Sequence, residues 1–323
     1  MDGQHDPIPR SFGPVMVYDL RHHFWRTTGM DTADLRMFEA VARLGVMGYA
    51  ALELNTVQSN VTARIRALEE SLGCRLFERH ARGVSLTDEG RRLLPYAQSI
   101  PRLLRDAERA VRDDGVPRGG LAIGSLETTA ALRLAPLLAN YAATYPKVDL
   151  TLRTGTTCEL IESVRRGSID GAFVCGPVVD PALDVRPMFR EELALVAAPG
   201  VESVEALLHG GDVRVLVLRA GCSYRQRLEA LLTRLGAPAP RILEFGTLEA
   251  IFACVGAGLG ITMLPRALVE KTSSAASLAI LTPPAQEATA VTVFLRRHDA
   301  VATSALKAFL ARAEQAFEPS AAA

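Results

Sequence analysis

The sequence lacks the features of a membrane protein, a disulfide scaffold or a metalloprotein. None of its apolar runs approaches the roughly 20 residues that a transmembrane helix requires. Its first 29 residues contain no apolar segment typical of a signal peptide. The five cysteines form no C-x-x-C pair, and the six histidines show no metal-ligand spacing. We therefore expect a cytoplasmic protein with reduced thiols and with no metal, no cofactor and no membrane partner.

A net charge is also missing. The 36 Lys and Arg residues balance the 36 Asp and Glu residues, whereas domains that bind nucleic acid often carry a basic excess. The total therefore argues mildly against a nucleic-acid partner. It does not exclude one, because salt screens charges over roughly 8–10 Å and a local basic patch is sufficient.

Regular structure is first indicated at Asp31. Asp31 or Thr32 can cap a helix that carries an apolar stripe, and Gly45 fits the end of that helix. The pattern predicts a second, short helix over about 47–54 and a third over about 58–71. Three helices with a short turn between the second and the third predict a helix-turn-helix arrangement.

The third helix is predicted to have two different faces. Its apolar side chains share one face, and these are Val57, Val61, Ile65, Leu68 and Leu72. The opposite face begins with short amide and hydroxyl side chains, which can approach base edges, and arginines follow, which can pair with guanine or phosphate. The alternative is an ordinary exposed helix with a basic loop. The candidate DNA-contacting residues are Gln58, Ser59, Asn60, Thr62, Arg64, Arg66, Arg75, Arg79 and Arg82.

A hairpin and a long helix are predicted after the third helix. Alternating apolar residues predict a two-stranded hairpin, or wing, with Gly83 at its tip. Residues 88–114 are predicted to be helical, and Pro95 and Pro101 should kink this helix or mark a helix start. Apolar residues at spacings of four and three form a heptad seam, which is typical of helix pairing. The seam consists of Leu93, Ala97, Ile100, Leu104, Ala107 and Val111.

The rest of the chain alternates predicted strands and helices. LAIGS, GAFVCG and VRVLVLRA are typical of buried strands, and ALRLAPLLANYAATYP and CELIESVRRGSI are typical of amphipathic helices. This alternation predicts an α/β domain with mostly parallel sheets. Residues DDGVPRGG, at 113–120, are predicted to link it to the long helix.

The run from Leu35 to Leu93 resembles the DNA-binding region of LysR-type transcriptional regulators. The resemblance rests on LRMFEAVARLG, VQSNVTARIRALEESLG and LFERHARGVSLTDEGRRLL, and the order of elements matches over nearly the whole chain. Val46, Met47 and Ser59 depart from the family pattern, which affects sequence preference rather than DNA binding. The resemblance implies that the third helix enters the major groove of double-stranded DNA and that the wing contacts the backbone or the minor groove.

The resemblance also implies the domain order and the partners. The effector domain should resemble a periplasmic binding protein, with two α/β lobes and a small-molecule effector between them. Pairing of linker helices implies a homodimer or homotetramer on promoter DNA, with RNA polymerase as a further candidate partner. The expected segments are an extension at 1–30, a winged helix-turn-helix domain at 31–87, a dimerising linker helix at 88–117, an effector domain at 118–317 and a tail at 318–323. Translation is expected to start at Met1 or at Met30. Within the effector domain, lobe one is expected at 118–197 and 266–317, and lobe two at 198–265.

Residues that follow strands and open helices are the candidates for binding the effector. Helix N termini offer free amides and partial positive charge, which favour an anion, and Arg219 can pair with a carboxylate. Glu127 lies in the same region, so the charge of the effector stays open between an anion and a cationic or donor-rich molecule. Simple helix capping is the alternative role for each hydroxyl. The candidates are Ser125, Thr128, Thr129, Thr156, Thr157, Arg219, Cys222, Ser223 and Thr247.

Other functions compete with a regulator. An enzyme needs a convergent catalytic set, but neither His209 nor His298 has a nucleophile motif beside it, and the GAGLG run at 256–260 ends a helix instead of opening one. Cys222 at a helix start would serve a redox-sensing variant of the regulator. A pure interaction protein built on the heptad helix would leave the small polar face of 58–63 unexplained. We therefore predict a DNA-binding transcription regulator that is not an enzyme.

Overall fold

The structure is a computed structural model in which residues 30–81, 83–204, 213–218, 223–237 and 239–317 are described. The chain divides into two units, Met1–Leu103 and Leu104–Ala323, and each is considered by itself. No helix within the described ranges is long and apolar enough to cross a membrane. Outside these ranges lie the predicted tail, nearly all of the predicted extension, and the candidate residues Arg82, Arg219 and Cys222.

The first unit contains the predicted helix-turn-helix, the wing and the start of a long helix. Its first helix begins where the Asp31 carboxylate accepts a hydrogen bond from the Asp34 amide and the Asp34 carboxylate accepts one from the Asp31 amide. This reciprocal cap satisfies amides that have no partner inside the helix. Gly45 ends the helix in the left-handed conformation, as predicted. The elements are α1 (Thr32–Leu44), α2 (Met47–Glu53), α3 (Gln58–Leu72), β1 (Phe77–His80), β2 (Gly83–Leu86) and α4 (Asp88–Arg112).

The buried face of α3 is shorter than the sequence pattern predicts. Val61, Ile65 and Leu68 are at most 1% exposed and pack into the core of the domain. Val57 and Leu72, which were predicted on the same face, are 64% and 39% exposed. Val57 has an extended backbone at the N-cap position and Leu72 is the last helical residue. The prediction fails for these two residues because the helical angle per residue does not continue past the ends of a helix.

Bonds from side chains to the backbone hold the wing against the end of α3. Glu69 of α3 accepts hydrogen bonds from the amides of Leu76 and Phe77, at 2.8 and 3.2 Å. Thr87 donates from Oγ1 to the carbonyl oxygen of Arg75 at 2.7 Å. The same hydroxyl accepts a hydrogen bond of 3.0 Å from an amide in the first turn of α4. The wing therefore has a defined position relative to α3 and α4.

Gly83 stands at the tip of the wing, as predicted, and touches the end of α1. Its φ is 139°, and a Cβ at this position would lie 2.3 Å from the carbonyl oxygen of Gly45. The amide of Val84 donates to the same carbonyl oxygen at 2.8 Å. The wing and the end of α1 thus meet backbone to backbone, which leaves no room for a side chain at Gly83.

Helix α4 is continuous through both of its prolines, so neither proline begins a helix. Its predicted heptad seam divides into two parts. Leu93, Ala97 and Ile100 pack into the core of the first unit. Leu104 and Val111 are 50% and 87% exposed. Only the second part of the seam is therefore available to pair with another helix.

The second unit alternates strands and helices, as predicted. The helical segment that follows its first strand is unbroken from Glu127 to Thr144, although its middle turn is π-helical. The elements are β3 (Gly119–Ser125), α5 (Glu127–Thr129), a π-helical turn (Ala130–Leu134), α6 (Ala135–Thr144), β4 (Val148–Thr154), α7 (Thr157–Arg165), β5 (Gly171–Cys175), β6 (Leu183–Ala197), β7 (Arg214–Val217), α8 (Ser223–Arg234), β8 (Arg241–Glu244), α9 (Leu248–Gly256), β9 (Thr262–Pro265), α10 (Arg266–Lys271), a 3-10 turn (Ala275–Ser277), β10 (Ala279–Leu281), β11 (Thr289–Arg297) and α11 (Ser304–Phe317).

Lobe one is built on the strands β6, β11, β5, β3 and β4, in that spatial order. Strand β3 runs parallel to β4 and β5, whereas β11 runs antiparallel to β5 and β6. An apolar core that includes Tyr141 of α6, Phe173 of β5 and Phe309 of α11, each fully buried, packs on this sheet. The carboxyl ends of β3 and β4 lie at one edge of the sheet, which is where α5 and α7 begin.

Strand β6 belongs to both lobes. Its residues from Leu183 to Glu192 pair with β11 in lobe one. Its last residues, from Leu193 to Ala197, pair with β9 and β10 in lobe two. The parallel strands β7 and β8 complete lobe two.

The second crossing between the lobes differs from the predicted one. Residues 266–317 were expected to return to lobe one directly after Pro265. Instead, β10 pairs with residues 195–197 of β6, so residues 266–281 stay with lobe two. The chain returns to lobe one between β10 and β11. The sequence could not show this, because the partner of a short strand depends on tertiary packing.

We expect Gly83→Ala to destabilise the winged domain by roughly 1–3 kcal/mol, because the added Cβ would overlap the Gly45 carbonyl oxygen and strain the backbone. Thermal unfolding of the full chain would show a lower midpoint. Gly120→Ala is the matched control, since a Cβ there meets open space. Equal midpoints for the two variants would contradict the close approach of wing and helix.

Candidate nucleic-acid interface and inter-lobe cavity

The start of α3 presents short polar side chains to solvent. Gln58, Ser59 and Asn60 are exposed, and Thr62 is half-buried. The Asn60 amide group donates to Thr56 Oγ1 at 2.9 Å, so this side chain also braces the turn before the helix. The N-cap residue of α3 supplies no side-chain hydrogen bond. Free helix amides and short polar groups therefore occur together at this end.

The predicted DNA-contacting arginines fall into two classes. Arg66, Arg75 and Arg79 are exposed, and none of their side chains forms an ion pair or hydrogen bond with another described residue. Arg64 differs, because its Nη1 lies 2.9 Å from Asp34 Oδ1 and 3.5 Å from Asp31 Oδ1. Arg64 therefore ties α3 to the start of α1.

This arrangement fits the surface of a DNA duplex. An arginine without an internal carboxylate partner can neutralise a phosphate without first breaking an ion pair. Small amide and hydroxyl groups at the start of a helix can reach base edges in a major groove. Arg82, the remaining predicted arginine, lies outside the described residues.

A cavity lies between the two lobes. Its lobe-one wall comes from the starts of α5 and α7, and its lobe-two wall comes from α8, α9 and the strands beside them. Apolar side chains dominate, in agreement with small-molecule sites in general. The lining residues are Leu126, Glu127, Thr128, Thr154, Gly155, Thr156, Val217, Leu218, Ser223, Tyr224, Arg225, Leu228, Ile251, Thr262, Met263 and Leu264.

Three of the predicted effector-binding residues line this cavity, namely Thr128, Thr156 and Ser223. Thr128 is 4% exposed, and its Oγ1 has no hydrogen-bond partner within the described ranges. A fourth candidate, Thr157 of α7, joins the lobes, because its Oγ1 lies 3.0 Å from Ser223 Oγ of α8. The hydroxyls on the two walls thus come within hydrogen-bond distance at the cleft.

Three other candidates do not line the cavity. Ser125 is fully buried and donates from Oγ to the Leu126 carbonyl oxygen at 2.9 Å. Thr129 is fully buried one residue beyond the cavity wall. Thr247 caps α9 by accepting the Ala250 amide at 3.2 Å, so the capping alternative holds for it. The sequence pattern identified helix starts, but it could not show which of them face the cleft.

A buried carboxylate that the sequence pattern missed lies behind the lobe-two wall. Glu191 of β6 is 3% exposed, and the Tyr224 hydroxyl donates to its Oε2 at 3.4 Å. Arg133, from the π-helical turn of lobe one, lies 3.6 Å from its Oε1. Burial raises the pKa of Glu191, and the charge of Arg133 and the hydroxyl of Tyr224 oppose that shift. The only sequence signal was a glutamate at the start of an apolar strand.

Side chains on one face of α8 contact both of the chain segments that connect the two lobes. Tyr224 bonds Glu191 in the first crossing strand. Arg227 donates to the Thr289 carbonyl oxygen at 3.2 Å, and Arg234 pairs with the buried Glu287, both in the second crossing. The three α8 side chains are spaced by three and seven residues, so they share one side of the helix.

No group of histidine, cysteine or acidic side chains that could hold a metal ion occurs in the described part of the chain. Cys222 and Arg219, the remaining candidates near the start of α8, lie outside that part.

Two family models match the chain. The model described as "Bacterial regulatory helix-turn-helix protein, lysR family" matches residues 32–91, which hold α1 to α3 and the wing. The model described as "LysR substrate binding domain" matches residues 114–318, which hold both lobes. Together they cover most of the chain.

Curated relatives agree with these matches. The "Uncharacterized HTH-type transcriptional regulator YusT" of Bacillus subtilis is 44% identical over 281 residues, which is 87% of this chain and 94% of that protein. The "HTH-type transcriptional regulator GltR" of the same organism is 39% identical and covers 88% of this chain and 96% of that protein. Both alignments include the two domains.

Solved structures share the fold. A Corynebacterium glutamicum OxyR mutant with bound hydrogen peroxide is 25% identical, with a TM-score of 0.52, over 89% of this chain and 94% of that chain. Full-length CbnR in complex with its target DNA is 24% identical, with a TM-score of 0.59, over 89% of this chain and all of that chain. The family models and the curated relatives place the chain in one family: it belongs to the LysR family of bacterial transcriptional regulators.

Proposed function

We propose that this LysR-type regulator contacts the bases of its operator with the start of α3 and binds the flanking phosphates with Arg66, Arg75 and Arg79. One observation carries the proposal, namely that these exposed arginines have no carboxylate partner within the described ranges. Gln58 and Ser59 are the candidates for base contacts. Family membership removes the enzyme alternative, because LysR-type regulators bind DNA and are not enzymes.

The effector is proposed to bind in the cavity between the lobes, in contact with Thr128, Thr156 and Ser223. A ligand shifts the lobes only if it binds two arrangements with different affinity. Thr157 and Ser223 supply such a difference, because their 3.0 Å contact joins the lobes and an effector that bonds either hydroxyl competes with it. Closure of the lobes would then depend on occupancy of the cavity.

The end of α4 is firmly attached to lobe one, which gives the effector domain a route to the linker helix. Arg109 of α4 lies 2.7 Å from Asp170. Asp113, just after α4, accepts the Ser304 amide at 2.6 Å at the start of α11. Movement of lobe one would therefore carry the end of the linker helix with it.

The exposed part of the heptad seam is proposed to pair two copies of the chain. Leu104 and Val111 are too exposed for a monomer to gain much from them. The resulting homodimer, or a tetramer formed from two dimers, would place two copies of α3 on a palindromic operator. We place this assembly in the cytoplasm, where RNA polymerase is a candidate partner.

The function is tested by salt-titrated binding of the full chain to DNA from its own upstream region, with random DNA as competitor. We expect a site-specific complex whose affinity falls steeply with salt. Equal affinity for both DNAs at low salt, with a dimer present, would contradict the proposed reader helix.

Replacing Arg66 should affect DNA binding, whereas replacing Arg64 should affect stability. Arg66→Ala should weaken operator binding by roughly 1–3 kcal/mol without lowering the unfolding temperature, since this side chain touches only solvent and DNA. Arg64→Ala should mainly lower the unfolding temperature, because it removes the bond to Asp34 at the start of α1. Fluorescence anisotropy and thermal unfolding measure the two effects. Loss of stability without loss of affinity in Arg66→Ala would reverse the assignment.

The proposed pairing of two copies through Leu104 and Val111 is tested by introducing negative charges at these positions. We expect the double variant Leu104→Asp and Val111→Asp to be monomeric in light scattering, because two carboxylates would have to be buried in the helix pair. Arg105→Asp places a carboxylate at the neighbouring exposed position and is the control. A dimer in both variants would move the interface elsewhere.

Glu191 should make stability depend on pH. Its pKa is raised by burial, so the folded chain keeps a proton that the unfolded chain releases, and stability should fall as the pH rises from the usual range of a glutamate through the raised pKa. Glu191→Gln has no such proton and should give a flatter profile. Thermal unfolding across about pH 5 to 8 measures this. Exposed Glu192→Gln is the control, and identical profiles for wild type and Glu191→Gln would contradict the raised pKa.

A further inference from the structure

The cavity between the lobes is mainly apolar, and its few charged groups differ in whether they have partners. Leu228 and Ile251 are 1% exposed and Met263 is 2% exposed. The apolar part of an effector could therefore pack against a buried apolar surface. Among the described lining residues, only Glu127 and Arg225 carry a charge at neutral pH. The chemistry of the effector therefore depends on these two side chains.

Arg225 is already neutralised. Its Nε lies 3.0 Å from Glu229 Oε1, one turn further along α8. An effector carboxylate would have to compete with this internal partner. Glu127, in contrast, is half-buried, and its carboxylate forms no ion pair or hydrogen bond with any residue that the structure describes. The unpaired charge on the described wall is thus negative.

The start of α7, the other place where an anion would be expected, is also occupied. The Glu159 carboxylate accepts the Thr156 amide at 2.8 Å, and the Thr156 hydroxyl accepts the Glu159 amide at 3.3 Å. This capping box uses the Thr156 hydroxyl and places an internal carboxylate where an effector anion would bind. Residues beside the cavity therefore disfavour a second negative charge.

Filling the cavity would remove water from the Glu127 carboxylate. A carboxylate that loses water without gaining a hydrogen-bond donor or a cation is destabilised. The neighbouring Thr128 is only 4% exposed, and its hydroxyl also lacks a hydrogen-bond partner among the described residues. An effector that supplies donors to this corner would satisfy both groups.

We propose that the effector carries an ammonium group, which pairs with Glu127 beside Thr128, and a small apolar body, which packs on Leu228 and Ile251. This inference rests on the proposed function, since it concerns the ligand of the same cavity. Of the two alternatives for the charge of the effector, a cationic group is favoured, because Arg225 already has an internal partner and Glu127 has none among the described residues. A carboxylate on the same molecule is compatible with the proposal but is not required by it.

Three compounds with one apolar body test the proposal. Leucine, 3-methylbutylamine and 4-methylpentanoate share a branched alkyl group, and they carry both charges, the ammonium alone and the carboxylate alone. We expect leucine, the amine or both to raise the unfolding temperature of the full-length protein at concentrations up to about 10 mM, and the carboxylate to have no effect. Glu127→Gln should weaken the binding of the ammonium compounds at least about tenfold in calorimetry.

Glu249→Gln is the matched control. Glu249 also lies in the first turn of a helix at the lobes, but it is exposed and outside the cavity wall. Its variant should bind the ammonium compounds like wild type. Binding of 4-methylpentanoate in preference to the amine, an unchanged affinity in Glu127→Gln, or no response to either ammonium compound would overturn the proposal. The first of these outcomes would point to Arg219 as the partner of an anionic effector.

The binding assay contains no DNA, so its result is independent of the reader helix. Operator binding by wild type and by Glu127→Gln is measured separately, without ligand. Specific and equal operator binding in both, together with failure of the ammonium compounds, would reject the effector class and leave the proposed regulator intact. Loss of operator specificity in wild type would reject the proposed reader instead.

Discussion

The two lobes depend on one continuous strand and on the buried carboxylate that it carries. Strand β6 pairs with β11 in lobe one and with β9 and β10 in lobe two, so every change in lobe position bends or twists the same backbone. Glu191 lies where the strand leaves lobe one, and it receives Arg133 from that lobe and Tyr224 from the other. A buried carboxyl group, whether protonated or charged, is tolerated only while its partners stay in place. The relative position of the lobes is thereby coupled to the environment of one side chain.

Some charged side chains form internal ion pairs and others do not, and this difference explains how a chain with no net charge can bind DNA. Many charges in the described part of the first unit are paired internally: Arg64 bonds Asp34, and Arg43 pairs with Glu39 and Glu53. Such pairs hold the helices together, and each contributes little to the field beyond a few ångströms. Arg66, Arg75 and Arg79, in contrast, have no such ion-pair partner among the described residues. The surface field is therefore set by which charges are paired and not by their sum, which is why composition argued wrongly against a nucleic-acid partner.

The sequence predicted the parts of this fold that local rules control. Asp31 and Gly45 marked the ends of α1 because capping depends on neighbouring residues alone, and Gly83 marked the wing tip. Long-range choices were not accessible. The pairing of β10 with β6 and the internal partner of Arg64 depend on residues far away in the chain. For the cavity, the pattern located helix starts correctly, but Glu191 had no local signal.

Helix α8 shows why those long-range contacts matter for regulation. Its first residue, Ser223, meets Thr157 across the cleft, and further along one side it is fastened to Glu191 and Glu287 in the two crossings. A helix is stiff over three turns, so a displacement at its start is carried to its end instead of being absorbed. An effector that displaces Ser223 would therefore strain the two crossing contacts together. Because both carboxylates are buried, solvent would not relieve that strain, and under the proposed mechanism the two lobes would move together.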